Sequence, residues 1–192
     1  MTRATTSSKA ETEARERAQA YFDSKAGLPP AEVRAQVAAA FDSLAAALGE
    51  VRPERAAVRT IADEWSAQEV VDHLLETFRP GVDELRCLLA GVRPPGAPIP
   101  ASLQSKAPSL RPWPWLLDEL RRSEQDVLDL LSAAPAGFAG PARAPIVMVV
   151  NVPDAAPLHW IQDLEWKAYA LVSWRLHTID HMKQIRRVLA TY

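Results

Sequence analysis

Two histidines near the end of the chain, His177 and His181, are separated by one helical turn. At about 100° per residue, positions i and i+4 of an α-helix lie about 40° apart, so both rings project from the same side. Two imidazoles that face the interior of a helix bundle at one level can share a metal ion. The spacing alone also fits a pair on a helix surface, or two histidines that bond to polar neighbours.

A third histidine, His73, lies at the margin of an apolar stripe in an earlier helical segment, between Glu69 and Glu76. Either carboxylate could accept a hydrogen bond from the ring nitrogen that does not bind the metal. Three imidazoles from two helices make the ligand set of an open site, with water in the remaining position. We therefore predict a metal site formed by His73 and the histidine pair. The alternative for His73 is a hydrogen-bonded residue at the core boundary. The fourth histidine, His159, is expected at the surface.

Other side chains are candidates for the surroundings of this site. Trp174 and Gln184 share the inward face of the last helix with the histidine pair. Trp174 could line a pocket or pack in the core, and Gln184 could bind a ligand or anchor a neighbouring helix. Asp180 could act as a general base, but a helix salt bridge with Lys183 is favoured. Cys87 is expected to be a buried, inert thiol.

Helical periodicity and the placement of prolines predict the elements that position these residues. Proline is absent from residues 54–79 and 158–192, so these segments can form uninterrupted helices. Residues 9–25 could form an additional charged helix, and residues 1–8 are expected to form a disordered tail. The main helices, in which apolar positions recur at helical spacing, are expected to cover approximately residues 31–48, 66–89, 115–131 and 161–189.

The start of the second main helix carries a recognisable signal. Ser66 and Glu69 form an S-x-x-E capping box, and Trp65 stands at the position of a hydrophobic staple. Further along the same helix, Pro80 and Gly81 predict a kink or a break. His73 is thereby placed in the first half of a well-defined helix.

Two long connections limit the topology. Residues 91–112 could extend over about 70 Å, whereas a 20-residue helix is only about 30 Å long, so the second and third helices can be parallel. The apolar run at 146–150 predicts an extended strip that covers the bundle. The expected fold class is therefore all-α, with one four-helix bundle domain over residues 29–192. A flexible or helical extension is expected over residues 1–28.

Composition limits the classes of function. The 192 residues, 48% hydrophobic and 24% charged, are typical of one soluble globular domain. A formal net charge of −2 disfavours nucleic-acid binding. A single cysteine favours a reducing compartment. No segment approaches the roughly 20 apolar residues that a membrane span requires, and no signal peptide is visible. The expectation is a cytoplasmic protein that binds neither nucleic acid nor membrane.

The chain resembles the DinB/YfiT-like family in two segments. Residues 63–74 read DEWSAQEVVDHL and are similar to the W-S-x-x-E-h-h-x-H-h opening of that family's second helix, where h is hydrophobic. Residues 175–185 read RLHTIDHMKQI and are similar to its closing H-x-x-x-H-x-x-Q-h helix. The resemblance implies an up-down-down-up bundle and a divalent metal, commonly zinc or nickel. The residues that match the family's metal ligands are His73, His177 and His181.

The same resemblance implies an activity. Some members are thiol-dependent transferases or isomerases that use mycothiol, bacillithiol or glutathione, and members are frequently dimers. It therefore implies a metal-dependent homodimeric enzyme that combines a small electrophile with a low-molecular-weight thiol. The bound metal would lower the pKa of a water or thiol to give a nucleophile near neutral pH. The alternatives are a metal-dependent hydrolase of a small ester or amide, and a non-catalytic, stress-associated binding bundle whose metal is structural or absent.

Overall fold

The computed structural model of the chain describes residues 9–150 and 156–191. The tail expected at residues 1–8 lies outside the described residues. A π-helical segment, Leu171–Leu176, joins the last two helices into one continuous helix. The elements in chain order are α1 (Lys9–Ala26), α2 (Pro30–Gly49), α3 (Ala67–Leu89), α4 (Trp113–Ala133), β1 (Ala144–Val150), β2 (Leu158–Leu164), α5 (Trp166–Ala170) and α6 (His177–Leu189).

The core lies between α2, α3, α4 and the continuous α5–α6 helix. α3 packs against α4, and α2 packs against both α4 and α6. Each helix presents a stripe of apolar residues to this core, and their burial supplies about 25 cal/mol for each Å² removed from water. This arrangement is the four-helix bundle that the sequence predicts. Within the described residues, no helix has both the length and the apolarity needed to cross a membrane. Buried representatives of the core are Leu44, Leu74, Leu85, Leu116, Trp174 and Ile185.

The charged segment at residues 9–25 does form a helix, α1, which packs against α5. Its few apolar side chains are used for this contact, and Phe22 is buried. The Lys167 ammonium donates a hydrogen bond to the Ala26 carbonyl at 2.8 Å. The Arg15 guanidinium lies over the Trp160 ring, 5.1 Å from its centroid. α1 is therefore attached to β2 through Arg15 and to α5 at its C-terminal end.

The prediction of an all-α fold is wrong for β1 and β2, which form a two-stranded antiparallel sheet. The last helix, expected to begin at about Ile161, begins instead at Trp166. Exposure alternates along β2, because Trp160 and Leu164 are buried whereas Ile161 is 62% exposed. A period of two residues is characteristic of a strand that packs one face against a core. The apolar residues at the start of this segment follow the two-residue period of a strand, so assigning them to a helix was wrong.

The extended strip predicted at residues 146–150 is present within β1. A strand without a partner would leave its backbone N–H and C=O groups unpaired, and β2 supplies the partner groups. The chain then enters the last helix at Glu165, whose carboxylate accepts hydrogen bonds from the backbone N–H groups of Lys167 and Ala168, each at 2.9 Å. This cap satisfies two donors at the helix start.

The capping box at the start of α3 is present as predicted. The Ser66 hydroxyl accepts a hydrogen bond from the Glu69 N–H at 3.2 Å, and the Glu69 carboxylate accepts one from the Ser66 N–H at 2.9 Å. Of the kink or break predicted at Pro80, the break does not occur, since α3 continues through this residue. Gly81 permits a close approach of two helices, since a Cβ atom at this position would lie 3.3 Å from Cζ2 of Trp174.

Candidate metal centre

The fold brings His73, His177 and His181 together. His73 projects from the first half of α3, whereas the other two lie at the start of α6 and one turn later. The Nε2 atoms of His73 and His177 are 2.9 Å apart. One ligand nitrogen from each of the three rings lies within 4.8 Å of the others. His73 is buried and the other two rings are half-buried.

The ring nitrogens on the far side of this cluster have hydrogen-bond partners. Nδ1 of His73 donates to the Leu103 carbonyl oxygen at 2.6 Å. Nδ1 of His181 donates to the Gln184 amide oxygen at 3.0 Å. The backbone of Ser173, one turn earlier, is a polar neighbour of the His177 ring and opposes the lowering of its pKa. Because a neutral imidazole carries one proton, a proton on Nδ1 leaves the Nε2 lone pair free. In His73 and His181, whose Nδ1 atoms donate, the Nε2 lone pair is therefore free.

The electrostatics keep the three rings neutral. Burial lowers the pKa of His73, against the opposing effect of its hydrogen bond to Leu103. Burial, together with the neighbouring His181 and His73, holds the pKa of His177 well below its usual value. Burial and the neighbouring His73 lower the pKa of His181 to about 4. At neutral pH each ring therefore offers a lone pair rather than a positive charge.

This donor set fits a divalent metal ion. At the usual Zn–N distance of about 2.0–2.1 Å, two ligand nitrogens that subtend about 90–110° at the ion are about 2.9–3.4 Å apart. The 2.9 Å separation between His73 and His177 falls in this range. Imidazole nitrogen suits zinc, nickel, copper and iron better than magnesium or calcium. The cluster is therefore a candidate site for a transition-metal ion of this kind.

Trp65 is a neighbour of the cluster that the sequence suggested only as a staple for the helix start. Its ring stacks on His181 with centroids 6.0 Å apart and an interplanar angle of 13°. The same ring lies 4.9 Å from the centroid of His73. On another side, Phe78 lies 6.3 Å from His177 in an edge contact. Two aromatic rings therefore border the three imidazoles and reduce their contact with water.

The predicted carboxylate partners of His73 are wrong. Glu69 is held by the capping box and by Arg59, whose Nε donates to it at 2.8 Å. The hydrogen bond from Arg59 is the main reason that the pKa of Glu69 is lowered. Glu76 accepts from Arg111 at 2.7 Å. The acceptor for the ring is instead the Leu103 carbonyl, in the long connection between α3 and α4.

The three other residues predicted to surround the site lie at different positions relative to the histidine cluster. Gln184 touches the cluster directly through its hydrogen bond to His181. Asp180 is exposed and forms an ion pair with Lys183 at 3.3 Å, which leaves it outside the cluster. Trp174 is buried in the core beside Phe78, with ring centroids 6.5 Å apart. Among the remaining candidates, His159 is exposed, and the thiol expected to be buried, Cys87, is only half-buried.

Asp72 is a functional candidate that the sequence analysis missed. It precedes His73 and is completely buried. Its carboxylate accepts hydrogen bonds from the backbone N–H and the hydroxyl of Ser105, both at 2.8 Å. The available signal was an acidic residue inside the apolar run VVDHLL, because a carboxylate is seldom buried without a partner.

Comparisons with known proteins support the fold. No protein-family model matches the chain, and no curated protein matches it. A similar solved structure is that of TT2238, a four-helix bundle protein, with 17% sequence identity and a TM-score of 0.53. The match covers 82% of this chain and 98% of that chain. At this identity the likeness concerns the fold alone. Fold and site together define a four-helix bundle that carries a cluster of three neutral histidines.

Proposed function

We propose that this chain is a metal-dependent enzyme of the DinB/YfiT-like type, in which His73, His177 and His181 bind one zinc or nickel ion. The observation that carries the proposal is the convergence of three imidazoles, whose ligand nitrogens lie within 4.8 Å of one another and two of which have Nδ1 held by a hydrogen bond. Hydrogen bonds of this kind fix the tautomer and the orientation of metal-binding histidines. The family type also implies an up-down-down-up order of helices.

The number of ligands favours a catalytic role over a structural one. Structural zinc sites have four protein ligands, whereas catalytic sites have three and leave a position for water or substrate. In the part of the chain that the structure describes, the cluster consists of three histidines. The nearby carboxylates of Asp72 and Glu76 both face Arg111. A water, a thiol or a substrate oxygen would therefore complete the coordination.

The chain's own residues have defined tasks in this proposal. A bound divalent ion supplies a Lewis acid that lowers the pKa of a bound water or thiol. The three imidazoles hold the ion while remaining neutral, and Leu103 and Gln184 fix two of them in the required tautomer. Trp65 partly excludes water from the site. The preferred reaction is attack of a low-molecular-weight thiol on a small electrophile.

Metal binding is tested first, on untagged protein freed of metal with a chelator. We expect one Ni²⁺ or Zn²⁺ per chain by elemental analysis and titration calorimetry. Ni²⁺ should also quench the fluorescence of Trp65, and Trp65→Phe should reduce that quenching. His177→Ala and His73→Ala should each abolish binding, whereas His159→Ala, which removes an exposed histidine, should bind like the wild type. Binding that survives both cluster substitutions would refute the site.

Activity is tested with the metal-loaded protein. Glutathione, mycothiol and bacillithiol are each combined with a chromogenic electrophile, and a panel of small esters and amides is assayed separately. A rate that requires both the thiol and the metal would support the transferase. Hydrolysis without a thiol would support the hydrolase instead. Bound metal without any rate above buffer would identify a structural metal in a non-catalytic bundle.

Assembly is tested separately. The family type implies a homodimer, and light scattering coupled to size-exclusion chromatography distinguishes it from a monomer. A monomeric mass at micromolar concentration would contradict this part of the proposal without affecting the metal site.

A further inference from the structure

The buried Asp72 carboxylate attaches the connection between α3 and α4 to α3. Its oxygens accept the two hydrogen bonds from Ser105 and lie 3.0 Å from Nη1 of Arg111. A fully buried charge is tolerated when it is both paired and hydrogen-bonded, and the loss of its partners is costly. The segment from residue 103 to residue 111, here called the docked loop, is therefore fixed to the helix at Asp72.

Other contacts on the same face of α3 hold the docked loop in register. Gln104 donates to the Glu69 carbonyl at 3.0 Å. The residues on either side of it in the loop, Leu103 and Ser105, bond to His73 and Asp72. Gln68 donates to the carbonyl oxygens of Pro108 and Arg111 at 3.1 and 3.0 Å. The α3 residues involved follow an i, i+1, i+4, i+5, i+8 spacing, which is one face of a helix. They are Gln68, Glu69, Asp72, His73 and Glu76.

The docked loop also supplies the acceptor for His73. The Leu103 carbonyl, two residues before Ser105, accepts the Nδ1 proton of His73. His181 differs in this respect, because its partner Gln184 lies within one turn of the same helix. The tautomer of His181 is thus set by local helical structure. The tautomer of His73 depends on a loop that must dock first.

We propose that Asp72 is a positioning residue that docks this loop and thereby holds His73 as the Nδ1–H tautomer. The Nε2 lone pair of His73 then faces the other two histidines, so that loop docking and metal binding are coupled. The part that concerns metal rests on the proposed function, whereas the part that concerns the tautomer does not. Coupling between two binding events is reciprocal, so a bound ion must stabilise the docked loop by the same factor.

The first experiment uses metal-free protein and nitrogen-detected NMR of the histidine rings. In the wild type we expect His73 as the Nδ1–H tautomer. Ser105→Ala and Asp72→Asn should shift it towards the Nε2–H form and leave the Nδ1–H tautomer of His181 unchanged. Ser105→Thr retains the hydroxyl and should restore the wild-type spectrum.

Matched controls exist on both elements. Ser102→Ala removes an exposed serine just before the docked loop, and Asp83→Asn removes an exposed carboxylate of α3 that pairs with Arg86. Both should keep the wild-type tautomer of His73. A wild-type tautomer in Asp72→Asn and in Ser105→Ala would overturn the positioning role. A change in the tautomer in the controls as well would overturn it too.

The second experiment measures the coupling with Ni²⁺. Substitution of residues that orient a metal ligand typically costs about 10–100-fold in metal affinity. We expect about a 10-fold loss for Ser105→Ala, a larger loss for Asp72→Asn, and no loss for Ser102→Ala. A changed tautomer with unchanged Ni²⁺ affinity would overturn the coupling. Failure of the wild type to bind Ni²⁺ or Zn²⁺ would overturn the proposed function, and the tautomer would still decide the role of Asp72.

Limited proteolysis measures whether a bound metal ion stabilises the docked loop. Lys106 is exposed within the docked loop, whereas Arg93 and Arg111 precede prolines and resist trypsin. Cleavage after Lys106 requires local opening, so its rate reports the open population. Ni²⁺ should slow this cleavage in the wild type, and much less so in Asp72→Asn. An equal rate with and without Ni²⁺, under conditions where the ion is bound, would contradict the coupling.

Discussion

Acid destabilisation of the metal-free protein should depend strongly on the three histidines of the cluster. The pKa of His181 is lowered to about 4 by burial and by the neighbouring His73, whereas an unfolded histidine titrates near about 6.5. Below about pH 6.5 the unfolded chain therefore binds a proton that the folded chain does not. The free energy of unfolding must fall as the pH decreases from about 6.5 to about 4, and it is unaffected by this residue above that window.

The magnitude follows from the two pKa values. Between about pH 7 and about pH 5, His181 should cost about 2 kcal/mol of the free energy of unfolding. His73 and His177 add to this loss because their pKa values are also lowered by burial. The substitution His181→Gln removes the titrating group while keeping a polar side chain. Over the same pH interval, the free energy of unfolding of the variant should therefore fall by about 2 kcal/mol less than that of the wild type.

Urea denaturation followed by circular dichroism, with a chelator present, measures this difference. The control is His159→Gln, which removes an exposed histidine outside the cluster and should leave the pH dependence unchanged. If wild type and His181→Gln lost the same free energy of unfolding between the two pH values, the inference that folding keeps His181 neutral would be wrong. A smaller pH dependence in the His159→Gln control would equally show that the effect is not specific to the cluster.

Two other predictions concern packing and metal. Gly81→Ala places a Cβ atom 3.3 Å from Trp174 and should lower the free energy of unfolding by about 1–3 kcal/mol through overpacking. Gly49→Ala, where nothing lies within 4 Å, is its control and should be close to neutral in urea denaturation. Ni²⁺ at about 100 times its dissociation constant should stabilise the wild type by about 2.7 kcal/mol, and thermal unfolding of His73→Ala should show no such increase.

Local sequence patterns were sufficient for most of the fold. The capping box at Ser66 located the start of α3, and apolar periodicity located the four main helices. The failure at Ile161 has a definite cause, since β2 forms only because β1 is available as its partner. Pairing between strands is a property of the tertiary structure that helical periodicity within a short window cannot show.

The candidate site was predictable to the same extent. His177 and His181 were placed correctly relative to each other because both lie on one helix. The partner of His73 was assigned to Glu69 or Glu76 because these are its neighbours on α3, whereas the acceptor is the carbonyl of Leu103, 30 residues further on. A backbone carbonyl carries no side-chain signal, so this contact could be found only from the fold.

The helix around His177 combines three unfavourable features. A π-helical stretch is rare and is frequently found at functional sites, and here it spans Leu171–Leu176. The buried atoms Nε1 of Trp174 and Oγ1 of Thr178 have no hydrogen-bond partner among the described residues. Each such atom costs about 1–3 kcal/mol when it is buried. Their removal should increase stability, so we infer that these features are linked to the geometry required by the proposed metal site.

Thr178→Val tests this argument directly. The substitution preserves shape while it removes the buried hydroxyl, so it should raise the free energy of unfolding by about 1 kcal/mol. Thr77→Val is the matched control, because the Thr77 hydroxyl donates to the carbonyl oxygens of His73 and Leu74 at 2.9 and 3.0 Å, and this change should not stabilise the protein. If Thr178→Val instead destabilised the protein in urea denaturation, the hydroxyl would be satisfied in solution, and the inference that stability is sacrificed beside His177 would fail.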